Sequence, residues 1–117
     1  MIWLAAAAAA FNLVCSGSVT TWSKTQAPND QAWRDVFRID LETQRWCRGA
    51  CEETRPIDRT LETELVLASR RPLEGVTLKI NRESGRLTEA FQLDDHHALA
   101  KADCTREPFS GFPQPLF

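Results

Sequence analysis

Apolar and polar residues alternate at every second position in several segments of this chain, and this pattern limits the fold more than any other feature. Alternating side chains lie on opposite faces of a β-strand, so the pattern predicts half-buried antiparallel strands. We therefore expect an all-β fold, a small antiparallel meander or an open barrel or sandwich, of about five to six short strands. The apolar residues that share a face in the four clearest segments are Phe37, Ile39 and Leu41; Leu61, Leu65 and Leu67; Val76, Leu78 and Ile80; and Leu87, Phe91 and Leu93.

Two places in this pattern are less regular. Glu89 interrupts the apolar face of the fourth segment. A fifth strand is expected over residues 99–104, although the composition of residues 94–103 also suits a short helix. The strand agrees better with the rest of the chain.

The turns between the segments support hairpins. Gly85 stands where a type I turn followed by a bulge needs a residue with positive φ. Residues 37–46 match residues 78–87 in residue class, position by position. This internal match predicts a second hairpin over residues 42–45, with Gln44 in the place of Gly85.

The N-terminal segment predicts export. No charged side chain precedes Lys24, and residues 2–11 are all apolar. A run of this length suits the core of a signal peptide and is shorter than the ~20 residues that span a bilayer. Small residues follow, so cleavage is expected after Ser16 or Ser18. A signal peptide usually begins with a basic residue, and none precedes this run, so either the charged amino terminus takes that role or the start lies upstream of Met1. The alternative to a signal peptide is a buried N-terminal helix of a cytosolic protein, because alanine favours helices.

The chain is accordingly divided into four parts: a signal peptide over 1–18, a linker over 19–32, a β-domain over 33–107 and a Pro/aromatic tail over 108–117. The expected location is periplasmic or secreted. The alternative is an outer-membrane lipoprotein acylated at Cys15, which is the one case in which membrane contact is expected. Val14 stands where a lipoprotein signal has a small residue.

The remaining three cysteines are disulfide candidates, because nearby thiols pair in an oxidising compartment. Proximity favours Cys47–Cys51, and a bridge from either of them to Cys104 is nearly as well supported. One thiol is left over in each case unless Cys15 is retained to pair with it.

A metal site is the alternative use of the same residues. Cys47 and Cys51 with His96 or His97 could hold copper or zinc, or the C-x3-C pair could serve thiol redox chemistry. Strong zinc signatures contain two C-x2-C-like pairs, and thiol oxidoreductases carry C-x2-C in a βαβ setting. Neither occurs in this sequence, so we expect no cofactor.

The C-terminal tail offers two interpretations. Its apolar side chains, Phe109, Phe112 and Phe117 among them, are costly to expose to water, at ~1.5–3 kcal/mol each. The tail then either lies across the sheet and completes its core or presents a Pro/aromatic ligand to a partner, such as an envelope protein.

Charge and motifs exclude several functions. The chain has 14 basic and 16 acidic residues and a net charge of −2, which argues against nucleic-acid binding. The sequence contains no G-x-S-x-G, P-loop or H-E-x-x-H motif, and its carboxylate pairs stand at outward positions of strands and loops. An enzyme is therefore not favoured, and no catalytic residue is assigned.

Three short motifs carry a resemblance. Residues 45–51, residues 80–85, and Cys104 followed by residues 108–113 resemble a group of small exported proteins of Gram-negative bacteria over about residues 36–117. The resemblance implies an envelope location and supplies no activity. We therefore expect an exported, non-catalytic binding or accessory module, with a metal or thiol-redox protein as the alternative.

Overall fold

The computed structural model describes residues 9–69 and 74–113, and within them the fold is all-β with no helix. Every strand is antiparallel to its neighbours in one sheet of order β4-β3-β2-β1-β9-β8-β7-β6-β5. The predicted all-β antiparallel class is confirmed, although the sheet has nine strands rather than five or six. They are β1 (Ala10–Trp22), β2 (Asn29–Asp40), β3 (Arg45–Arg48), β4 (Arg55–Pro56), β5 (Arg59–Thr60), β6 (Glu64–Ser69), β7 (Glu74–Asn81), β8 (Arg86–Leu93) and β9 (His96–Pro108).

Strand β1 lies at the centre of the sheet, between β2 and β9. Residues 10–18, which the sequence assigns to a signal peptide, form most of this strand, and the segment predicted as a linker supplies the ends of β1 and β2. The Ser/Thr-rich part of β1, residues 16–22, is exposed or half-buried, which accounts for its linker-like composition. Cleavage after Ser16 or Ser18 would remove seven or nine of the 13 residues of this central strand.

The two edges of the sheet are consecutive in sequence. Strands β4 and β5 are joined by Ile57 and Asp58 alone. The Ile57 amide donates to the carbonyl of Gln44 (2.9 Å), and the Asp58 amide donates to the carbonyl of Leu67 (3.3 Å). This short connection therefore brings the two arms of the sheet together and curls it into a half-barrel.

The core fills the concave side of the curl. Phe37 and Ile39 are fully buried on β2, as the alternation predicts. On β6, three successive residues (Leu65, Val66 and Leu67) are buried, and the register shifts between Val66 and Ala68. The expected inward positions that stay exposed are Leu61, Phe91 and Leu93. The buried cluster comprises Leu13, Cys15, Phe37, Ile39, Trp46, Ile57, Leu65, Leu67, Leu78, Ile80, Leu87 and Ala102.

Both predicted hairpins form, with the same local geometry. Gln44 has φ 57° and Gly85 has φ 76°, so Gln44 does take the place of Gly85. Before each turn a side-chain oxygen, of Asp40 or of Asn81, accepts hydrogen bonds from two amides of the turn. The internal sequence match therefore marks one hairpin type used twice.

The helix considered for residues 94–103 does not form, because the segment belongs to β9 and the strand expected over 99–104 is confirmed. In the described part of the chain, no helix has the length and apolar character needed to cross a membrane.

Candidate functional site

Two cavities open on the concave side of the sheet. The first, called the seam cavity, has a volume of about 470 Å³ and lies between β3 on one arm and β6–β8 on the other. The second, called the turn cavity, has a volume of about 490 Å³ and lies beside the β7–β8 turn. The two cavities are neighbours along β7, because its inward residue Leu78 lines the seam cavity and the next inward residue, Ile80, lines the turn cavity.

An ion cluster spans the seam cavity. Arg48 on β3 donates from Nε and Nη2 to Oδ2 of Asp35 (2.8 and 2.6 Å) and from Nη1 and Nη2 to Oε2 and Oε1 of Glu89 (2.6 and 3.0 Å). Its guanidinium carbon lies 4.9 Å from the ring centroid of Phe37. We call Asp35, Arg48 and Glu89 the ion clip, because they join β2 and β3 to β8 across the opening.

The ion clip holds charge at the edge of the core. Burial alone would lower the pKa of Arg48, but hydrogen bonds and charges, first from Glu89 and then from Asp35, outweigh it and raise the pKa. Arg48 therefore stays charged, and its guanidinium donates to both carboxylates of the clip. The clip adds a side-chain link between the two arms of the sheet and carries a net charge of −1.

A disulfide stands on the same wall. Cys47 and Cys51 are joined and almost fully buried, as proximity in the sequence favours. Gly49 and Cys51 both have positive φ, which lets five residues reverse direction within the bridge. Loop residues Glu52 and Glu53 line the cavity beyond it.

The turn cavity has a different lining. Its apolar wall consists of Phe11, Leu13, Leu41, Leu65 and Ile80, together with Ala9. Its polar residues are those of the β7–β8 turn, with Arg82 and Glu83, and Arg106 on β9. The guanidinium carbon of Arg106 lies 4.2 Å from the ring centroid of Phe11.

Cys15 forms the second disulfide. It is fully buried, faces Cys104 directly across β1 and β9, and is bonded to it with a Cα–Cα distance of 4.0 Å. A sulfur in a disulfide cannot carry a lipid, so acylation of Cys15 and this bridge exclude each other. All four cysteines are thus paired, which is typical of proteins that fold in an oxidising, exported compartment.

The histidines lie far from the cysteines of the proposed metal set. His97 pairs with Trp22 on β1, whereas Cys47 lies at the level of Asn12, ten residues away along that strand. The separation is about 33 Å at the usual rise per residue. His97 stacks on Trp22 instead, with ring centroids 5.2 Å apart. Among the described residues, no three His, Cys, Asp or Glu side chains form a group that could hold a metal ion.

The described part of the tail, up to residue 113, is tied to β1 and β2. Ser110 exchanges hydrogen bonds with the side chain of Asn12, and Arg38 donates to the carbonyl of Gly111 (2.9 Å). Phe109 and Phe112 are half-buried and pack edge to face on each other. Phe117 lies outside the described residues.

Sequence reasoning missed the ion clip and the charged rim of the turn cavity. Glu89 is the one residue whose position in the sequence indicates an ion pair, because a carboxylate in an otherwise apolar strand face needs a partner. Asp35 and Arg48 stand at ordinary-looking positions, and only the folded register brings them to Glu89.

Comparison of the chain with protein-family models, with curated proteins and with solved structures finds no match.

Proposed function

We propose that this chain is a non-catalytic binding module of an exported compartment that holds a small ligand on the concave side of its half-barrel. The observation that carries the proposal is the pair of cavities on that side, each of a size that small-molecule sites have, ~300–1,000 Å³. The two disulfides support the exported setting.

The chemistry of the cavity walls supports binding rather than catalysis. In the seam cavity, Glu89 is bonded to Arg48 and is therefore a structural carboxylate. In the turn cavity, apolar side chains dominate and a few polar groups stand at the rim. An apolar pocket with a few placed polar groups is the usual form of a ligand site.

The test uses full-length protein exported to an oxidising compartment and purified without denaturation. Native mass spectrometry detects a bound small molecule, and a ligand panel is screened by the shift in unfolding midpoint. Two cavity-filling variants, Leu41→Trp in the turn cavity and Val76→Trp in the seam cavity, serve as matched controls once circular dichroism shows that they fold.

The proposal expects one bound molecule per chain, recovered chemically unchanged, whose binding one of the two variants abolishes. Recovery of an altered molecule would contradict the non-catalytic assignment. A ligand that binds both variants as well as the wild type, or a panel that never shifts the midpoint, would overturn the proposed site.

A further inference from the structure

One strand of the sheet has an outer edge that no described strand covers. β2 pairs with β1 along its whole length, Asn29–Asp40, but β3 pairs with it only over residues 37–40. Within the part of the chain that the structure describes, no strand pairs with residues 29–35 on the β3 side. We call residues 29–35 the open edge.

The main-chain groups that face outward on the open edge are those of Asp30, Ala32 and Arg34. Successive residues of an antiparallel strand direct their amides and carbonyls alternately to its two sides. The Val36 carbonyl accepts a hydrogen bond from the Gly49 amide on the β3 side (3.0 Å), so every second residue before Val36 faces the same way. Among residues 9–69 and 74–113, these outward amides and carbonyls have no hydrogen-bond partner.

Both ends of this outward row are closed. At one end, the Val36 amide donates to Oδ1 of Asp35 (2.7 Å), and the Val36 carbonyl is already bonded. At the other end stands Pro28, which has no amide to donate. The row therefore has its centre at Ala32, with one outward residue on either side of it.

The charges of the open edge are placed oppositely about this centre. Asp30 lies two residues before Ala32 and Arg34 two residues after it, and all three residues are exposed. Asp30 accepts a hydrogen bond from the Thr20 hydroxyl, whereas the Arg34 side chain has no partner in the described part of the chain. Charged side chains usually keep a free strand edge from pairing. Opposite charges at these two positions, however, attract each other when the edge meets a second, antiparallel copy of itself.

We propose that the open edge pairs with the open edge of a second copy of this chain, which forms a two-fold symmetric dimer with one continuous sheet. In the antiparallel register centred on Ala32, the two Ala32 residues face each other, and Asp30 of each copy faces Arg34 of the other. Every outward amide and carbonyl of the row then has a partner, because these residues form the hydrogen-bonded pairs of the register. Such a dimer does not require a ligand in either cavity.

Trp33 adds an apolar contact in this register. It lies on the same face of β2 as Phe37 and Ile39 and is half-buried against the core cluster. In the dimer, each Trp33 faces Gln31 of the other copy and lies two residues along from its Trp33, a spacing that aromatic side chains can bridge. The pairing therefore removes part of both indole rings from water.

Sedimentation velocity of the full-length, disulfide-bonded protein measures the dimer from about 10 μM to about 1 mM, the range of weak and transient interfaces. Ala32→Pro is expected to weaken the dimer at least about tenfold, because each copy loses its central amide hydrogen bond. The fold should tolerate this change, since proline fits a strand edge whose amide faces away from the sheet. Ala32→Ser keeps the amide and is the matched control, which should dimerise like the wild type.

Charge reversal tests the register. Asp30→Arg and Arg34→Asp each place like charges opposite each other, and each is expected to weaken self-association about tenfold. A mixture of the two variants restores opposite charges at the facing positions, so it should form a heterodimer about as tightly as the wild type associates. Arg86→Asp is the matched control, because it makes the same change in net charge at an exposed residue of β8, a strand that is paired on both sides.

Three results would overturn the proposed dimer. The first is a chain that stays monomeric up to about 1 mM, which is also the result for an edge that accepts a strand from a different protein. The second is a dimer that Ala32→Pro leaves intact, because it must then use another surface. The third is a mixture of the two charge variants that associates no better than either alone. If circular dichroism shows that Ala32→Pro does not fold, the charge variants, which change only exposed side chains, decide alone.

Discussion

The seam cavity and the turn cavity have similar volumes, but their walls are held by different interactions. Across the seam, the two arms of the sheet are joined by the ion clip, and the nearby disulfide spans only four residues of sequence. Beside the turn cavity, a disulfide spans 89 residues and joins two central strands that also share a continuous hydrogen-bonded register. The seam therefore depends on side-chain charge, whereas the turn cavity depends on covalent and main-chain links.

The two disulfides provide the largest expected contrast. A bridge stabilises a fold mainly by restricting the unfolded chain, and the effect grows with the enclosed loop. Replacing Cys15 and Cys104 by Ala should cost about 4–5 kcal/mol, and replacing Cys47 and Cys51 about 2 kcal/mol. Urea unfolding measures both. A greater loss from the short bridge would contradict the comparison.

The closeness of β1 and β9 gives the next effect. The Cα atoms of Cys15 and Cys104 are closer than the ~4.5–5.5 Å usual for facing residues. Two residues along, a Cβ added at Gly17 would overlap the carbonyl oxygen of Lys101 and lie 2.7 Å from the Cα of Ala102. Gly17→Ala should therefore cost about 2 kcal/mol, since the strands must separate.

Ser18→Ala is the matched control for Gly17→Ala, because Ser18 is the next residue and is exposed. Its unfolding free energy should stay within about 0.5 kcal/mol of the wild type. If urea unfolding gives the same free energy of unfolding for both variants, the close approach of β9 to Gly17 does not limit the side chain at that position.

The ion clip should show a moderate effect. Arg48→Met leaves Asp35 and Glu89 facing each other without a cation, but Arg48 is 35% exposed, so solvent screening limits the loss to about 1–2 kcal/mol. Arg55→Met, which removes the exposed pair with Glu53 on the same cavity rim, should cost at most about 0.5 kcal/mol. Equal losses in chemical unfolding would refute the role given to the clip.

The raised pKa of Arg48 sets how this effect depends on pH. A group with a raised folded-state pKa contributes its full stability below its ordinary pKa and loses it only as pH rises through the raised value. The difference between wild type and Arg48→Met should therefore not shrink between about pH 7 and about pH 10. A steady decline over that range would mean that another group titrates in the clip.

The fold could be predicted largely from local patterns. Period-two alternation identified the inward residues of β2 and β7, and the match between two segments located the hairpin at Gln44, because turn chemistry is local. Strand β1 is not predicted from the sequence, since its uncharged residues suit the end of a signal peptide and a linker as well as a central strand. In the fold the segment pairs with β2 and β9, and the pairing with β9, which places Cys15 opposite Cys104 across 89 residues of sequence, leaves no local signal.

The candidate site was less predictable for the same reason. The bridge between Cys47 and Cys51 follows from proximity, whereas that between Cys15 and Cys104 needs the sheet register. Arg48 and Glu89 are 41 residues apart in sequence and meet because the sheet curls. Curling depends on the connection at Ile57 and Asp58, which no periodicity marks.

The two hairpins give the smallest expected change in stability, and each hairpin belongs to the wall of a different cavity. The β2–β3 hairpin, with Gln44 at φ 57°, leads to Arg48, and the β7–β8 hairpin, with Gly85 at φ 76°, forms the rim of the turn cavity. A left-handed residue other than glycine costs about 1 kcal/mol. Gly85→Gln should therefore destabilise by about 1 kcal/mol, and more if the carbonyl of Cys104, 3.0 Å from the new Cβ, cannot move.

The reciprocal change, Gln44→Gly, removes the same strain from the other hairpin. It also removes the exposed hydrogen bonds of the Gln44 side chain with Leu41 and Thr60, so the net gain should be only about 0.5 kcal/mol. Paired thermal unfolding of the two variants measures the difference. A loss of stability in Gln44→Gly would show that those side-chain bonds outweigh the backbone conformation, and the seam wall would then depend on side chains at its turn as well as at its ion clip.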